Sequence, residues 1–255
     1  MISIINSLKK ILTTTNQMIL DHYQKPLTFT LKNDNTPLTK ADQDVHHFLI
    51  KELSKQFTYP ILSEENPIDF NTRKKWSRFW LIDPIDGTKH FLKKDDEFCT
   101  NIALIENNRP ILGIISIPVT NTFYWAIQNK GSFINDQPII HKKIQKKLII
   151  AKSKFHYEKN NLSMLNNYNY TFIEKGSAIK FCLLANGEID IYPRQGPTME
   201  WDTAAGDIII HESNCQMVSL INKQPLLYNK KDLKNPNFIA FQNNIPEIHA
   251  YLKNE

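Results

Sequence analysis

The chain has 255 residues, 41% hydrophobic and 22% charged, which is typical of a soluble globular protein with a sizeable core. Its 31 basic and 26 acidic side chains give a net charge of +5, and no run of basic residues interleaved with aromatic ones indicates binding to a nucleic-acid polymer. The three cysteines form no close pair, which argues against a zinc site or a disulfide framework.

The amino-terminal segment is apolar, but Lys9 and Lys10 follow its first apolar residues and no small-residue cleavage site comes after it. This order argues against a signal peptide. No stretch reaches the roughly 18 apolar residues that a transmembrane segment requires. We therefore expect a cytoplasmic protein, with a peripheral position on the cytoplasmic face of the inner membrane as the alternative. The sequence leaves the oligomeric state open between a monomer and a homodimer.

Two helices are predicted at the start of the chain. Apolar residues at helical spacing predict an amphipathic helix over the first twenty-odd residues. A second helix is predicted from Thr39 to about residue 57, with Asp42 as the acid of a capping box. Short buried strands are predicted at 61–63 and 78–82.

The remaining pattern is typical of a layered α/β protein. Apolar runs separated by turn signals predict an antiparallel meander from 100 to 140. Strands are then predicted at 148–151, 171–173 and 189–192, and helices at 178–185 and 203–211. The alternation favours stacked layers of helices and sheets. The best boundary lies at 137–147, which gives an N-terminal α+β half (1–140) and a C-terminal α/β half (141–255).

The segment Asp83-Pro-Ile-Asp86-Gly87-Thr88 is the main candidate for a functional site. We expect the preceding strand to end at Ile82 and to deliver Asp83 at a sheet edge, where α/β proteins commonly build sites. Asp86 comes three residues later, so one turn could direct both carboxylates at one point. Hard divalent cations prefer such oxygen ligands. The alternative is an ordinary turn, because Asp, Pro and Gly are all turn formers.

Three further acidic positions have structural alternatives of their own. Asp42 could serve only the capping box, and Asp202 could serve only as the N-cap of the helix that follows it. Glu64 and its neighbour Glu65 could be a solvated acidic pair. The joint occurrence of these acids with Asp83 and Asp86 favours a metal site that hydrolyses a phosphate monoester.

Two long motifs carry a resemblance to a known family. Residues 80–88 (WLIDPIDGT) and 201–206 (WDTAAG) resemble the two signatures of the inositol monophosphatase superfamily. Within it, segments such as 37–42 and 176–182 most resemble the bacterial 3′(2′),5′-bisphosphate nucleotidases of the CysQ type. The resemblance covers roughly residues 1 to 235. It implies an αβαβα sandwich with two or three Mg²⁺ ions per active site at the junction of its layers.

The resemblance also implies roles for individual residues. Glu64 and Asp83 would hold one metal ion with the carbonyl of Ile85, and Asp83, Asp86 and Asp202 would hold another. Asp42 and Thr88, with part of the task given to Glu64, would position and deprotonate the attacking water. The implied substrate-binding residues are Glu64, Ile85, Asp86, Gly87, Thr88, Ser177, Lys180, Arg194 and Asp202. Ser177 and Lys180 are expected to share one helix face, and with Arg194 to bind the second phosphate and the nucleoside.

The implied activity is that of a lithium-sensitive phosphoric monoester hydrolase of sulfur metabolism, which converts adenosine 3′,5′-bisphosphate to AMP and phosphate. An inositol monophosphatase or a sugar bisphosphatase of the same fold is the alternative, and a non-catalytic nucleotide sensor is disfavoured because the expected acids are present. His90 and Asp207 depart from the family pattern, and Asp207 is expected to point away from the site. Ser153 and His156 are weaker candidates for substrate contacts.

Overall fold

A computed structural model describes residues 1–32, 37–140, 147–154, 165 and 168–253. The predicted boundary segment 137–147 lies partly outside the described residues, and His156 lies wholly outside them. Along the described part of the chain, no helix combines the length and apolar character needed to cross a membrane.

Seven helices and fourteen strands are seen in the described residues. The helices are α1 (Ile2–Tyr23), α2 (Lys40–Gln56), α3 (Phe70–Arg73), α4 (Thr88–Lys93), α5 (Ile179–Ala185), α6 (Glu200–His211) and α7 (Pro246–Lys253). The strands are β1 (Phe29–Leu31), β2 (Pro37–Thr39), β3 (Ile61–Ser63), β4 (Arg78–Asp86), β5 (Cys99–Glu106), β6 (Arg109–Ile117), β7 (Thr122–Ile127), β8 (Gly131–Ile134), β9 (Gln137–Pro138), β10 (Lys147–Ser153), β11 (Asn169–Lys175), β12 (Ile191–Arg194), β13 (Cys215–Ser219) and β14 (Phe238–Gln242).

Two sheets and three helical layers form the predicted αβαβα sandwich. The larger sheet has seven strands in the order β3-β4-β5-β6-β7-β8-β9, and the smaller has five in the order β11-β10-β12-β14-β13. Helices α1 and α2 cover the outer face of the larger sheet, α5 and α6 lie between the sheets, and α7 covers the outer face of the smaller one. Three buried apolar clusters separate these layers, because each sheet has to bury both faces.

Local sequence explains how the elements come together. Thr39 and Asp42 form the predicted capping box at the start of α2, since each side chain accepts a hydrogen bond from the backbone N–H of the other. On β6, Gly113 lets α6 approach closely. A Cβ at this position would lie 2.5 Å from Cγ2 of Ile208 and 2.7 Å from the carbonyl oxygen of Ala205. The central helical layer therefore packs directly on the larger sheet.

Three local predictions were wrong, and each error affects the site. Strand β4 does not end at Ile82 but continues to Asp86, with a shift in its pairing to β5 between Asp83 and Asp86. Helix α6 begins at Glu200, so Asp202 lies in its first turn and is not the N-cap. Ser177 precedes α5 and has a φ of +49°, so it cannot share a helix face with Lys180.

Candidate active site

A cleft of about 970 Å³ brings most of the predicted site residues together. Its acidic wall includes Glu64, Asp83, Asp86 and Asp202. The opposite wall includes Ser177, Lys180 and Arg194. The predicted residues that line it are Glu64, Asp83, Ile85, Asp86, Gly87, Thr88, Ser177, Lys180, Arg194 and Asp202. Asp42 adjoins this set through Thr88. The weaker candidate Ser153 also lines the cleft.

Three carboxylates converge at the centre of the acidic wall. One oxygen from each of Asp83, Asp86 and Asp202 lies within 4.8 Å of the others. The irregular pairing at the end of β4 presents two of these acids, and the first turn of α6 presents the third. Burial and then the charges of neighbouring acids raise the pKa values of Asp83 and Asp202 well above the ordinary range. Such a cluster is costly unless a cation neutralises it.

Hydrogen bonds orient two of these acids and leave one oxygen of the third unpartnered. Asp86 Oδ2 accepts the backbone N–H of Ala178 at 2.5 Å, and Asp202 Oδ2 accepts that of Met199 at 2.8 Å. Among the described residues, no donor lies within hydrogen-bonding distance of the buried Asp83 Oδ1. A buried carboxylate oxygen without a donor fits a metal ligand, and an all-oxygen donor set fits a hard divalent cation.

Glu64 follows β3, where its backbone N–H donates to the Ile82 carbonyl at 3.2 Å. Its carboxylate receives the ammonium of Lys32 at 2.7 Å, and the same ammonium reaches Glu65 at 2.6 Å. Burial, aided by the charge of Glu64, raises the pKa of Glu65 to about 7, although the contact with Lys32 opposes this rise. The charge of Glu64 also helps to raise the pKa of Asp83. Glu64 is therefore electrostatically part of the acidic wall.

Asp42 and Thr88 are brought together from two different helices. Thr88 Oγ1 donates to Asp42 Oδ1 at 3.4 Å and to the Ile85 carbonyl at 3.3 Å. The other Asp42 oxygen accepts both the N–H and the hydroxyl of Thr39, at 2.7 and 2.6 Å. Burial raises the pKa of Asp42 to about 6. This carboxyl group is thus held in one orientation and titrates near neutral pH.

Gly87 makes the sharp connection from β4 into α4 possible. Its φ is +94°, in the left-handed region that favours glycine. A Cβ here would lie 2.9 Å from the Glu97 carbonyl oxygen and 3.2 Å from Cβ of Ser177. The backbone at Gly87 and Thr88 consequently lies close to the opposite wall of the cleft.

Two buried cationic residues lie on that opposite wall. Lys180 is 3% exposed, and its ammonium donates to the carbonyls of Lys175 at 3.0 Å and Ser177 at 2.8 Å. Arg194 is 5% exposed and donates to the Pro197 carbonyl at 3.1 Å. The charge of Lys180 opposes the rise in the pKa of Asp86 that burial causes, and the charge of Arg194 acts likewise on Asp202. The cleft therefore places positive charge across from the acids.

Asp207 lies away from the cleft, as expected. It accepts two hydrogen bonds from Arg109, at 2.8 and 3.0 Å, and one from the Tyr228 hydroxyl at 2.9 Å. His90, by contrast, lines the cleft and bonds to Asp95. Sequence reasoning assigned no role to Lys32, because a single lysine after a short strand carries no local signal.

The comparisons with known proteins agree on one family. The model of the inositol monophosphatase family matches residues 3–254. The 3′(2′),5′-bisphosphate nucleotidase CysQ of Escherichia coli strain K12 is 38% identical over 223 residues, which cover 84% of this chain and 89% of that protein. The protein of the same name from Haemophilus influenzae is 34% identical over 247 residues, which cover 92% of this chain and 91% of that protein.

Solved structures show the same fold. The crystal structure of CysQ from Bacteroides thetaiotaomicron superimposes with a TM-score of 0.82 at 32% identity, over 93% of this chain and 97% of that chain. The extragenic suppressor protein suhB from Bartonella henselae has a TM-score of 0.82 at 22% identity, over 98% of each chain. The second likeness bears on the fold alone.

Proposed function

The chain belongs to the inositol monophosphatase family, and we propose that it is a magnesium-dependent 3′(2′),5′-bisphosphate nucleotidase. The reaction we propose converts adenosine 3′,5′-bisphosphate and water to AMP and phosphate. The observation that carries this proposal is one cleft with the Asp83, Asp86 and Asp202 carboxylates on one wall and the buried cations Lys180 and Arg194 on the other. Its similarity to nucleotidases along most of the chain supports the same substrate class.

The acidic wall would hold the metal ions. We assign Glu64, Asp83 and the Ile85 carbonyl to one ion, and Asp83, Asp86 and Asp202 to another, with two or three ions in all. The unpartnered Asp83 Oδ1 and the all-oxygen donor set support this assignment. Bound Mg²⁺ would lower the pKa of a water ligand and neutralise charge on the phosphate.

Asp42 and Thr88 would prepare the attacking water, with Glu64 contributing to the same task. Thr88 Oγ1 lies between the Asp42 carboxylate and the Ile85 carbonyl, and so could orient a water that faces the acidic wall. With its pKa raised to about 6, Asp42 is mostly ionised at pH 7 and is basic enough to accept a proton from that water. The backbone N–H groups of Gly87 and Thr88 would bind the phosphate that is removed.

The second phosphate and the nucleoside would bind along the opposite wall. Arg194 could grip phosphate oxygens through its planar guanidinium group, whereas Lys180 would act as a compact positive charge. Ser177 would add a hydroxyl. An inositol monophosphate or another monophosphate has no second phosphate for this wall to bind, which is why we favour a bisphosphate substrate.

The cellular setting is part of the proposal. We place the reaction in the cytoplasm, where it would remove adenosine 3′,5′-bisphosphate formed during sulfur assimilation and so contribute to nucleotide clearance. The partner in this proposal is a small-molecule nucleotide and not a nucleic-acid polymer.

Phosphate release from adenosine 3′,5′-bisphosphate, with and without Mg²⁺, tests the activity. We expect Mg²⁺-dependent release and inhibition by lithium, with much slower turnover of inositol 1-phosphate and fructose 1,6-bisphosphate. Faster turnover of either sugar or polyol phosphate would favour a different phosphatase of the same fold. Absence of release from a folded protein saturated with Mg²⁺ would refute the proposal.

A further inference from the structure

The turn formed by residues 175–178 connects the two walls of the cleft. At its end, the Ala178 N–H donates to the metal-site acid Asp86 at 2.5 Å. Within the turn, the carbonyls of Lys175 and Ser177 accept the Lys180 ammonium at 3.0 and 2.8 Å. The position of this turn therefore sets where Ser177 and Lys180 lie relative to the acids.

The backbone of the turn is not one that the chain would adopt without support. Ser177 has a φ of +49°, a left-handed conformation that is unfavourable for a non-glycine residue. Such a conformation persists only where surrounding contacts hold it. Ala178 is fixed to Asp86 at one end of the turn. At the other end the Lys175 backbone pairs with Ser153 of β10, and Gly176 needs contacts of its own.

Glu97 and His90 hold that end. Glu97 accepts the backbone N–H of Gly176 at 2.7 Å and the Lys175 ammonium at 3.2 Å. The His90 ring lies directly against Gly176, where an added Cβ would come within 2.3 Å of Nε2. The ring is 4% exposed and is oriented by Asp95, with Nδ1 at 2.9 Å from both carboxylate oxygens.

The same side chains could be mistaken for a second metal site. Ligand atoms of His90, Asp95 and Glu97 lie within 4.8 Å of one another. However, Lys154 already pairs with Asp95 at 3.2 Å, and Lys175 with Glu97 at 3.2 Å. Unlike Asp83 Oδ1, no atom of these three side chains is a buried polar atom without a hydrogen-bond partner among the described residues. The contacts of the cluster are therefore better explained by its support of the turn.

We propose that Glu97 and His90 are positioning residues that set the preference for a substrate with a second phosphate. The inference rests on the proposed nucleotidase function and extends it to residues outside the predicted site. Loss of the Glu97 contacts would release the Lys175 side chain and the Gly176 backbone, and would so loosen the position of Ser177 and Lys180. Asp83 and Asp202 are carried by β4 and α6, and the bond from the Ala178 N–H to Asp86 lies at the other end of the turn, so the metal centre should change little.

Kinetics with two substrates test this division. Adenosine 3′,5′-bisphosphate carries the second phosphate, and adenosine 3′-monophosphate lacks it. For Glu97→Ala we expect kcat/KM for the bisphosphate to fall about tenfold, mainly through KM, because a charge-assisted hydrogen bond is lost. For the monophosphate we expect a change within about twofold. AMP, which retains the 5′-phosphate, should inhibit the variant about tenfold more weakly.

Matched variants separate positioning from general damage. Glu97→Gln keeps an acceptor for the Gly176 N–H and should recover part of the bisphosphate preference, and His90→Gln should lose part of it. Glu174→Ala is the control. Glu174 lies in β11, just before the turn, and its side chain is 52% exposed and pairs with Lys152 at 3.1 Å. If Glu97→Ala does not fold, Glu97→Gln and His90→Gln carry the test.

The outcomes distinguish this inference from the function on which it rests. If the wild-type protein does not hydrolyse the bisphosphate, the proposed function fails and the inference fails with it. If the wild type is active but the Glu97 and His90 variants slow both substrates equally, or leave AMP inhibition unchanged, only the inference is refuted.

Discussion

Lys32 should compete directly with a divalent cation at Glu64. Its ammonium lies 2.7 Å from Glu64 and 2.6 Å from Glu65, inside the cleft and beside the acids of the proposed metal site. Although burial works against its charge, these two carboxylates raise the pKa of Lys32, so the side chain is fully charged at neutral pH. Lys32→Met removes the charge and keeps most of the side-chain volume.

The size of the effect follows from the geometry. Two unit charges about 4 Å apart interact by about 4 kcal/mol at an effective dielectric constant of about 20. The side chains of Lys32 and Glu64 are 20% and 23% exposed, so solvent and salt screen part of that energy. We expect an effect of about 1–2 kcal/mol, which corresponds to roughly tenfold tighter binding of Mg²⁺ by the variant.

Isothermal titration with Mg²⁺ and thermal unfolding with and without Mg²⁺ measure this directly. Without metal, Lys32→Met should unfold at a lower temperature than the wild type, because Glu64 and Glu65 lose their counter-ion. With Mg²⁺ it should gain more stability than the wild type. Lys40→Met is the control, since Lys40 pairs with Asp44 at 2.8 Å on the exposed surface of α2. Equal Mg²⁺ affinities for the wild type and Lys32→Met would refute the reasoning.

Three further predictions concern the acids. Asp83→Asn should lower kcat at least a hundredfold, because Asp83 is a proposed ligand of both metal ions. It should also raise the metal-free melting temperature, because it removes one of several mutually repelling carboxylates, and a lower melting temperature would contradict this. The pKa values of Asp42, about 6, and Glu65, about 7, exceed those of the unfolded chain, so folding takes up protons. Metal-free stability measured by urea unfolding should therefore fall from about pH 4 to pH 7, by about 3 kcal/mol for Asp42 alone, and a flat profile would contradict this. Asp207→Asn should cost about 2–3 kcal/mol by leaving Arg109 without its charged partner, with kcat unchanged; a large loss of kcat would place Asp207 in the site.

The elements that sequence reasoning placed well are those whose evidence is local. The first helix shows its 3.6-residue period in Ile5, Leu8, Ile11, Leu12 and Ile19, all of which are buried. The start of α2 is encoded by a capping box within four residues. The meander from β5 to β9 follows from apolar runs with turn residues between them. In each case neighbouring residues suffice to decide the structure.

The errors occur where distant contacts decide. Strand β4 continues past Ile82 because β5 pairs with it up to Asp86. Ser177 is held outside α5 by Glu97, which is 79 positions from Gly176, and by Asp86, which is 92 positions from Ala178. No pattern within a short window reports such contacts. Glu97 was missed for the same reason, since a single acid before an apolar strand resembles any surface residue.

The motif residues of the candidate site were predicted because several short patterns occurred together, although each one alone had an ordinary explanation. The structure shows that for Asp42 the two explanations are compatible. One Asp42 oxygen completes the capping box with Thr39, and the other faces Thr88. Asp202 similarly accepts the Met199 N–H and joins the carboxylate cluster. Capping fixes the orientation of these acids, and so prepares them for the role we propose.

We propose that the boundary near residue 140 marks a change of sheet and not a division into independent units. The strands of the larger sheet precede it and those of the smaller sheet follow it, but α5 and α6 pack between the two. Gly206 permits this central layer, because a Cβ there would lie 2.3 Å from the Phe181 ring. Asp202 is carried by α6, so its approach to Asp83 and Asp86 depends on the packing of that layer. The proposed donor set is therefore completed only where the two halves meet.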